Sequence, residues 1–201
     1  IAYSPTAIMK DRIVPAKYRA LIVALLFLLP LLHVALSFDR ATGFTSLIFF
    51  GSKFDSRALD EVRQVPHALV GKLGYDGQCY AQIAVDPTLR NPQLRTALDN
   101  PRYRSVRILL PALAHGLGLG RPAWILNAYA LSNLLFYALL LFAFVRLLKP
   151  RTVGQFLCLA AAMWSTGVLA SVERALTDLP AAALAFFAAG MTSAGALPVF
   201  A

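Results

Sequence analysis

Four stretches of this chain, residues 20–38, 123–145, 153–172 and 179–200, run for 19, 23, 20 and 22 residues without a Lys, Arg, Asp or Glu. An α-helix needs about 20 mainly apolar residues to cross the hydrocarbon core of a bilayer. Within that core every backbone N–H and C=O must be paired inside the segment, a condition that a helix meets. The sequence therefore predicts an all-α polytopic membrane protein with about four transmembrane helices, bedded in a lipid bilayer. Composition agrees, since 58% of the 201 residues are hydrophobic and only 14% are charged, outside the usual range of soluble domains.

The 19 Lys and Arg against 10 Asp and Glu give a net charge of +9. In a soluble protein such a balance would raise nucleic acid as a partner. Here the charges fall between apolar runs and no nucleic-acid-binding pattern accompanies them, so none is expected. Their placement speaks instead to orientation, because short cytoplasmic connections are rich in Lys and Arg. Residues 1–19 carry Lys10, Arg12, Lys17 and Arg19, and residues 146–152 carry Arg146, Lys149 and Arg151; both are predicted cytoplasmic. Residues 39–105 then form a large extracytoplasmic loop, and residues 173–178 a short one. Residues 106–122, with Pro111 and several glycines, are too short for a comfortable span and are read as a re-entrant segment or a broken extension of the next helix. With Cys79 and Cys158 the only cysteines, a disulfide framework or cysteine-rich metal site is not expected. The chain opens on Ile1 and stops at Ala201 in an apolar run, and is read as a portion of a longer protein.

The large loop has helical patterning of its own. Residues 55–65 read as an amphipathic helix with Leu59 and Val62 on one face, residues 78–85 as a second helix and residues 92–98 as a third, all lying along the membrane surface. The most informative stretch is Gly74-Tyr75-Asp76-Gly77-Gln78-Cys79-Tyr80. Its glycines mark a tight turn that opens a helix and leave the Asp76 carboxylate at the helix N-terminus. Asp76 there is either an N-cap, accepting N–H bonds of the first turn, or a chemical group beside a bound anion.

Gly-Tyr-Asp-Gly-Gln-x-Tyr, followed by Ile83-Ala84-Val85-Asp86-Pro87 and by the block from Asp99-Asn100-Pro101-Arg102-Tyr103-Arg104 to Arg107-Ile108-Leu109-Leu110-Pro111, resembles bacterial polytopic proteins linked to cell-surface glycopolymer formation. More distantly it is similar to the GPI mannosyltransferases, and both resemblances point to the GT-C superfamily of integral-membrane glycosyltransferases. The resemblance spans roughly residues 18 to 185. Tyr75 stands where the mannosyltransferases have Trp, and Arg107-Ile108-Leu109-Leu110-Pro111 replaces their Phe-Phe-Pro-Leu-Tyr-Pro.

What this implies is the N-terminal part of a GT-C-like bundle in a bacterial inner membrane, its active face extracytoplasmic, with Asp76 matching the catalytic Asp of the first outer loop. The implied donor is a polyprenyl-phosphate sugar and the acceptor a cell-envelope glycan or lipid. Because phosphate is itself a good leaving group, one carboxylate acting as base on the acceptor hydroxyl suffices. Arg104 and Arg107, three residues apart, would meet the departing phosphate through guanidinium forks, unless they and Arg102 are headgroup-snorkelling residues. Glu173 and Asp178 stand in the second outer connection, where the resemblance places acidic groups near the acceptor or a divalent metal. Spacing alone makes Asp178 a cap for the fourth span, paired with Arg174. Tyr75, Gln78 and Tyr80 complete the expected substrate-binding set. No cofactor is expected; a divalent cation is left open, though no metal-ligand spacing supports one.

Other candidates are blander. His33 is expected to bond inside the bundle, His67 and His115 have no partner spacing, and Asn127 and Asn133 are expected to join helices. Ala181, Ala185 and Ala189, beside Gly190, predict a close-packing face. Two further readings stand beside the enzyme: a non-catalytic membrane subunit of glycopolymer assembly or export, and a small-solute transporter, which the lack of charges inside the spans disfavours.

Overall fold

The computed structural model describes residues 12–193, with side chains to residue 190. The described residues are all-helical, with β-pairing confined to isolated bridges. In chain order the helices are α1 (Ala16–Leu36), a 3-10 turn (Thr45–Ile48), α2 (Ser52–Asp55), α3 (Asp60–Arg63), α4 (Gly77–Val85), α5 (Leu94–Ala97) and α6 (Pro101–Ser105). There follow α7 (Leu109–Leu117), α8 (Pro122–Leu148), α9 (Val153–Met163), α10 (Thr166–Glu173) and α11 (Asp178–Ser193).

Two of them, α1 and α8, are long and apolar enough to cross a membrane, and they fall on the first two charge-free runs. They lie antiparallel. Val14 N–H donates to the Arg151 carbonyl at 2.8 Å and Val153 N–H to that of Arg12 at 2.9 Å, so the segments before α1 and after α8 are paired side by side. At the other end Phe44 N–H donates to Asn127 Oδ1 at 2.8 Å, joining the segment after α1 to the start of α8. Midway, Pro30 sits inside α1 and, lacking an N–H, cannot bond the Leu26 carbonyl four residues back. Tyr137 on α8 supplies the missing donor: its hydroxyl bonds that carbonyl at 2.9 Å.

The core is built around α8, which buries Ile125, Leu126, Tyr129, Asn133, Phe136, Tyr137 and Leu140 among others. The short α7 folds back on it, and its nine residues advance only about 13 Å, far short of a crossing. Tyr129 and Asn133 fasten the α10–α11 connection, Tyr129 by its hydroxyl to the Ala175 carbonyl at 2.6 Å and Asn133 by its amide to the carbonyls of Ser171 and Leu176 at 2.7 and 2.8 Å. Asn127 and Asn133 thus join elements, as their setting suggests.

Three local expectations need correction. Residues 153–172 are not one straight helix: α9 and α10 meet at a bend of 45°, where Trp164 closes one helix and extended Ser165 opens the next. The Ser-Thr-Gly sequence there competes with or weakens helical bonding, which a hydropathy count does not register. Residues 55–65 do not form one helix: α2 ends at Asp55 and only the single turn α3, Asp60–Arg63, falls within them, although Leu59 and Val62 are both buried. Finally, Ala181, Ala185 and Ala189 are exposed, and α11 packs through Leu179, Ala183 and Gly190. Gly190 admits the Leu147 side chain against its backbone. The last part of the fourth apolar run, beyond Ser193, lies outside the described residues.

Candidate functional site

The Gly-Tyr-Asp-Gly turn is held by its surroundings from both sides. Gly74 has φ +68°, and a Cβ there would lie 2.5 Å from the Gly51 nitrogen and the Phe49 oxygen. Tyr75 N–H donates to that Phe49 oxygen at 2.9 Å. Gln78 is buried and its amide is taken up by the same junction, accepting from Gly51 N–H and donating to the Leu73 carbonyl, both at 3.0 Å. At Gly77 a Cβ would lie 2.5 Å from the Arg174 carbonyl oxygen, so the start of α4 abuts the α10–α11 connection. The two glycines thus serve close approach, of loop to loop and of helix to loop.

Asp76 occupies the N-cap position of α4, but it is in the helical region of φ and ψ and makes no side-chain cap bond. Its carboxylate turns instead to Arg104, with Oδ1 2.9 Å from Nη2 and Oδ2 2.8 Å from Nη1. Arg104 is buried and also forks onto Asp99, from Nε to Oδ1 at 2.8 Å and from Nη2 to Oδ2 at 2.7 Å. One guanidinium therefore holds two carboxylates, while its face lies 5.2 Å from the Tyr80 ring centroid. About half of each aspartate side chain stays exposed, against 6% of that of Arg104. The buried cation keeps its charge because both anions reach it.

Asp99 is the member of this group that sequence reasoning missed; a signal was present in its place just before the Asn100-Pro101 helix start. Asn100 caps α6, accepting from Tyr103 N–H at 3.1 Å, and that cap projects Arg104 inward toward Asp99. The Arg104 hydrogen bonds, helped by Asn100 N–H and opposed by partial burial, hold the Asp99 carboxyl down to about 2. Conversely, Asp99 and Asp76 hold Arg104 further into its protonated range. Cys79 points its thiol at Asp99 Oδ1, 3.7 Å away. Burial first and the Asp99 charge second push that thiol up to about 11.

Around this group lie further expected residues. Arg107 flanks Tyr103, its guanidinium 5.1 Å from the ring centroid, and reaches Asp178 at 3.4 Å. The predicted Arg174–Asp178 pair is not formed; Arg174 lies 4.6 Å from the Tyr75 ring centroid and 5.7 Å from that of Phe49. The reason is that α10 stops at Glu173 and Ala175 turns the chain at φ +46°, so a four-residue helical spacing does not apply. Beside Arg107 and Asp178 is a pocket of about 280 Å³ with Thr177 in its wall. The buried Thr177 hydroxyl has no hydrogen-bond partner among the described residues. Glu173 is elsewhere, in a groove of about 310 Å³ between α1 and the bent pair, lined also by Leu29, Pro30, His33, Trp164, Leu169 and Val172.

Among the described residues no three His, Cys, Asp or Glu side chains gather as a metal-holding group. Asp76 and Asp99 are instead both bonded to the Arg104 guanidinium. His67 bonds Asp55 at 2.9 Å and His115 the Ala84 carbonyl at 2.9 Å, both joints of the scaffold. No known family model matches the chain, and neither curated proteins nor solved structures give a match.

Proposed function

We propose that the chain is part of a GT-C-like membrane glycosyltransferase, transferring a sugar from a polyprenyl-phosphate donor to a cell-envelope glycan or lipid. The carrying observation is the half-exposed Asp76 carboxylate held by buried Arg104, with Arg107 and the pocket walled by Thr177 on the neighbouring connection. In the proposed reaction the acceptor hydroxyl gives its proton to Asp76 as its oxygen attacks the anomeric carbon. The bond from that carbon to the phosphate oxygen breaks, and polyprenyl phosphate leaves. Arg107 and the Thr177 hydroxyl are suited to receive its negative charge. Arg104, already committed to two aspartates, aligns the base. The apolar groove ending at Glu173 suits a prenyl chain.

The membrane arrangement belongs to the same proposal: four crossings, the bent α9–α10 pair and α11 among them, in a bacterial inner membrane. The paired segments around Arg12 and Arg151 carry Arg12, Lys17, Arg19, Arg146, Lys149 and Arg151, which favours that end as cytoplasmic. The site then faces outward with the large loop.

Sugar transfer from a lipid-linked donor, measured in membranes, tests the reading. Asp76→Asn is expected to abolish transfer, while Asp99→Asn, which also loosens Arg104, retains part of it. Arg107→Ala lowers transfer and Arg63→Ala does not. Wild-type transfer by folded Asp76→Asn protein would sink the assignment. A second reading, a non-catalytic subunit of glycopolymer assembly, is favoured by the engagement of both Asp76 oxygens with Arg104, as in a structural ion pair; it predicts no transfer by the wild type.

A further inference from the structure

Residues 86–105 hold four arginines against two aspartates. Both aspartates are committed: Asp99 to Arg104, and Asp86 to its own loop, where it accepts from Thr88 N–H, the Thr88 hydroxyl and Asn91 N–H. The three remaining arginines, Arg90, Arg95 and Arg102, form no ion pair among the described residues. All three are exposed, and all three line one pocket of about 320 Å³.

Three elements bring them there. The Asp86 loop turns at Leu89, φ +56°, and presents Arg90. The α5 helix presents Arg95 and buries Leu94 beneath it. On α6, Arg104 faces the carboxylates while Pro101, Arg102 and Ser105 line the pocket. Its lining thus combines three arginines with Asn91 and Ser105 and with apolar Leu89, Leu94 and Leu98, and no carboxylate is among the lining residues. Like charges around one concavity repel each other, and a bound anion removes that repulsion. Guanidinium forks match phosphate oxygens in geometry, and the leucines suit the carbon skeleton of a phosphate ester.

We propose that this pocket is a phosphate-binding site, separate from the Asp76 group, that takes the phosphate of an anionic lipid headgroup or a free phosphate. It stands whether or not the chain transfers sugar, because none of its arginines touches Asp76, Asp99 or Arg104 in the bonds described.

The test uses the full chain in detergent micelles, with inorganic phosphate and dihexanoyl phosphatidylglycerol as probes, followed by phosphorus NMR line broadening. The wild type broadens the probe resonance. The triple variant Arg90→Gln, Arg95→Gln, Arg102→Gln does so at least about tenfold less, and the control Arg57→Gln, Arg63→Gln, Arg121→Gln behaves as wild type. Tighter binding of phosphatidylglycerol than of inorganic phosphate assigns the lipid source, and equal binding the free anion. Should the triple variant misfold, hydrogen exchange on wild-type protein decides: phosphate is expected to slow exchange in residues 86–105 and not in residues 52–63. No broadening with either probe, equal loss in the control variant, or no protection of residues 86–105 overturns the proposal.

Discussion

Arg104 and Asp99, five residues apart, share two hydrogen bonds of 2.8 and 2.7 Å, so the buried guanidinium that meets Asp76 is anchored from its other side. Because the Asp99 carboxyl is held at about 2, below its ordinary 3.8, its contribution to stability is fully present above about pH 4. It is lost as pH falls toward 2. Asp99→Asn is therefore expected to lower the thermal midpoint at pH 6, with a difference from wild type that shrinks as acid is added. The half-exposure of Asp99 keeps the effect modest. Melting curves between pH 6 and pH 2.5 check it, and a difference that stays constant with pH would contradict the ion-pair account.

Tyr137→Phe removes the donor that serves the Leu26 carbonyl, which Pro30 has left without its helical partner. The expected cost is about 0.6–2 kcal/mol, since a buried acceptor loses its bond in an apolar setting. Replacing Pro30 with Ala in the same background restores an N–H four residues on and should recover part of the loss. Unfolding of the single and double variants in mixed micelles measures both. Equal destabilisation with and without Pro30→Ala would rule out the explanation.

At Gly77 even a methyl group is too large. A Cβ 2.5 Å from the Arg174 oxygen and 2.8 Å from that of Ile48 must push α4 off the α10–α11 connection, so Gly77→Ala is expected to cost about 1–3 kcal/mol. Gly116→Ala, where a Cβ meets nothing within 4 Å, serves as the control. If the two variants melted alike, the close contact would not be a constraint.

Cys79 is expected to be nearly inert. At pH 8 a thiol pushed up to about 11 has only about one thiolate in a thousand, and burial limits access as well. Alkylation should accelerate about tenfold per pH unit up to that value and become rapid on denaturation. Mass spectrometry of iodoacetamide-treated protein over a pH series reads this directly, with fast folded-state labelling of Cys79 at pH 8 as the contrary result.

The sequence by itself determined the helical class, the two long apolar helices and the helix that follows Asp76, because length, hydropathy and turn residues act within a few residues of where they are written. It also marked Asp76, Tyr80 and Arg104, which the fold brings together. Tertiary structure decided the pairings. Arg104 reaches Asp76 across 28 residues and Arg107 reaches Asp178 across 71, so which carboxylate each guanidinium finds depends on how α4, α6 and the α10–α11 connection pack on α8. Packing likewise overruled local patterns, assigning Gln78 to backbone junctions and drawing Arg174 to Tyr75 in place of Asp178. A side chain's chemistry is written in the sequence, but its partner is set by the contacts that fold the chain.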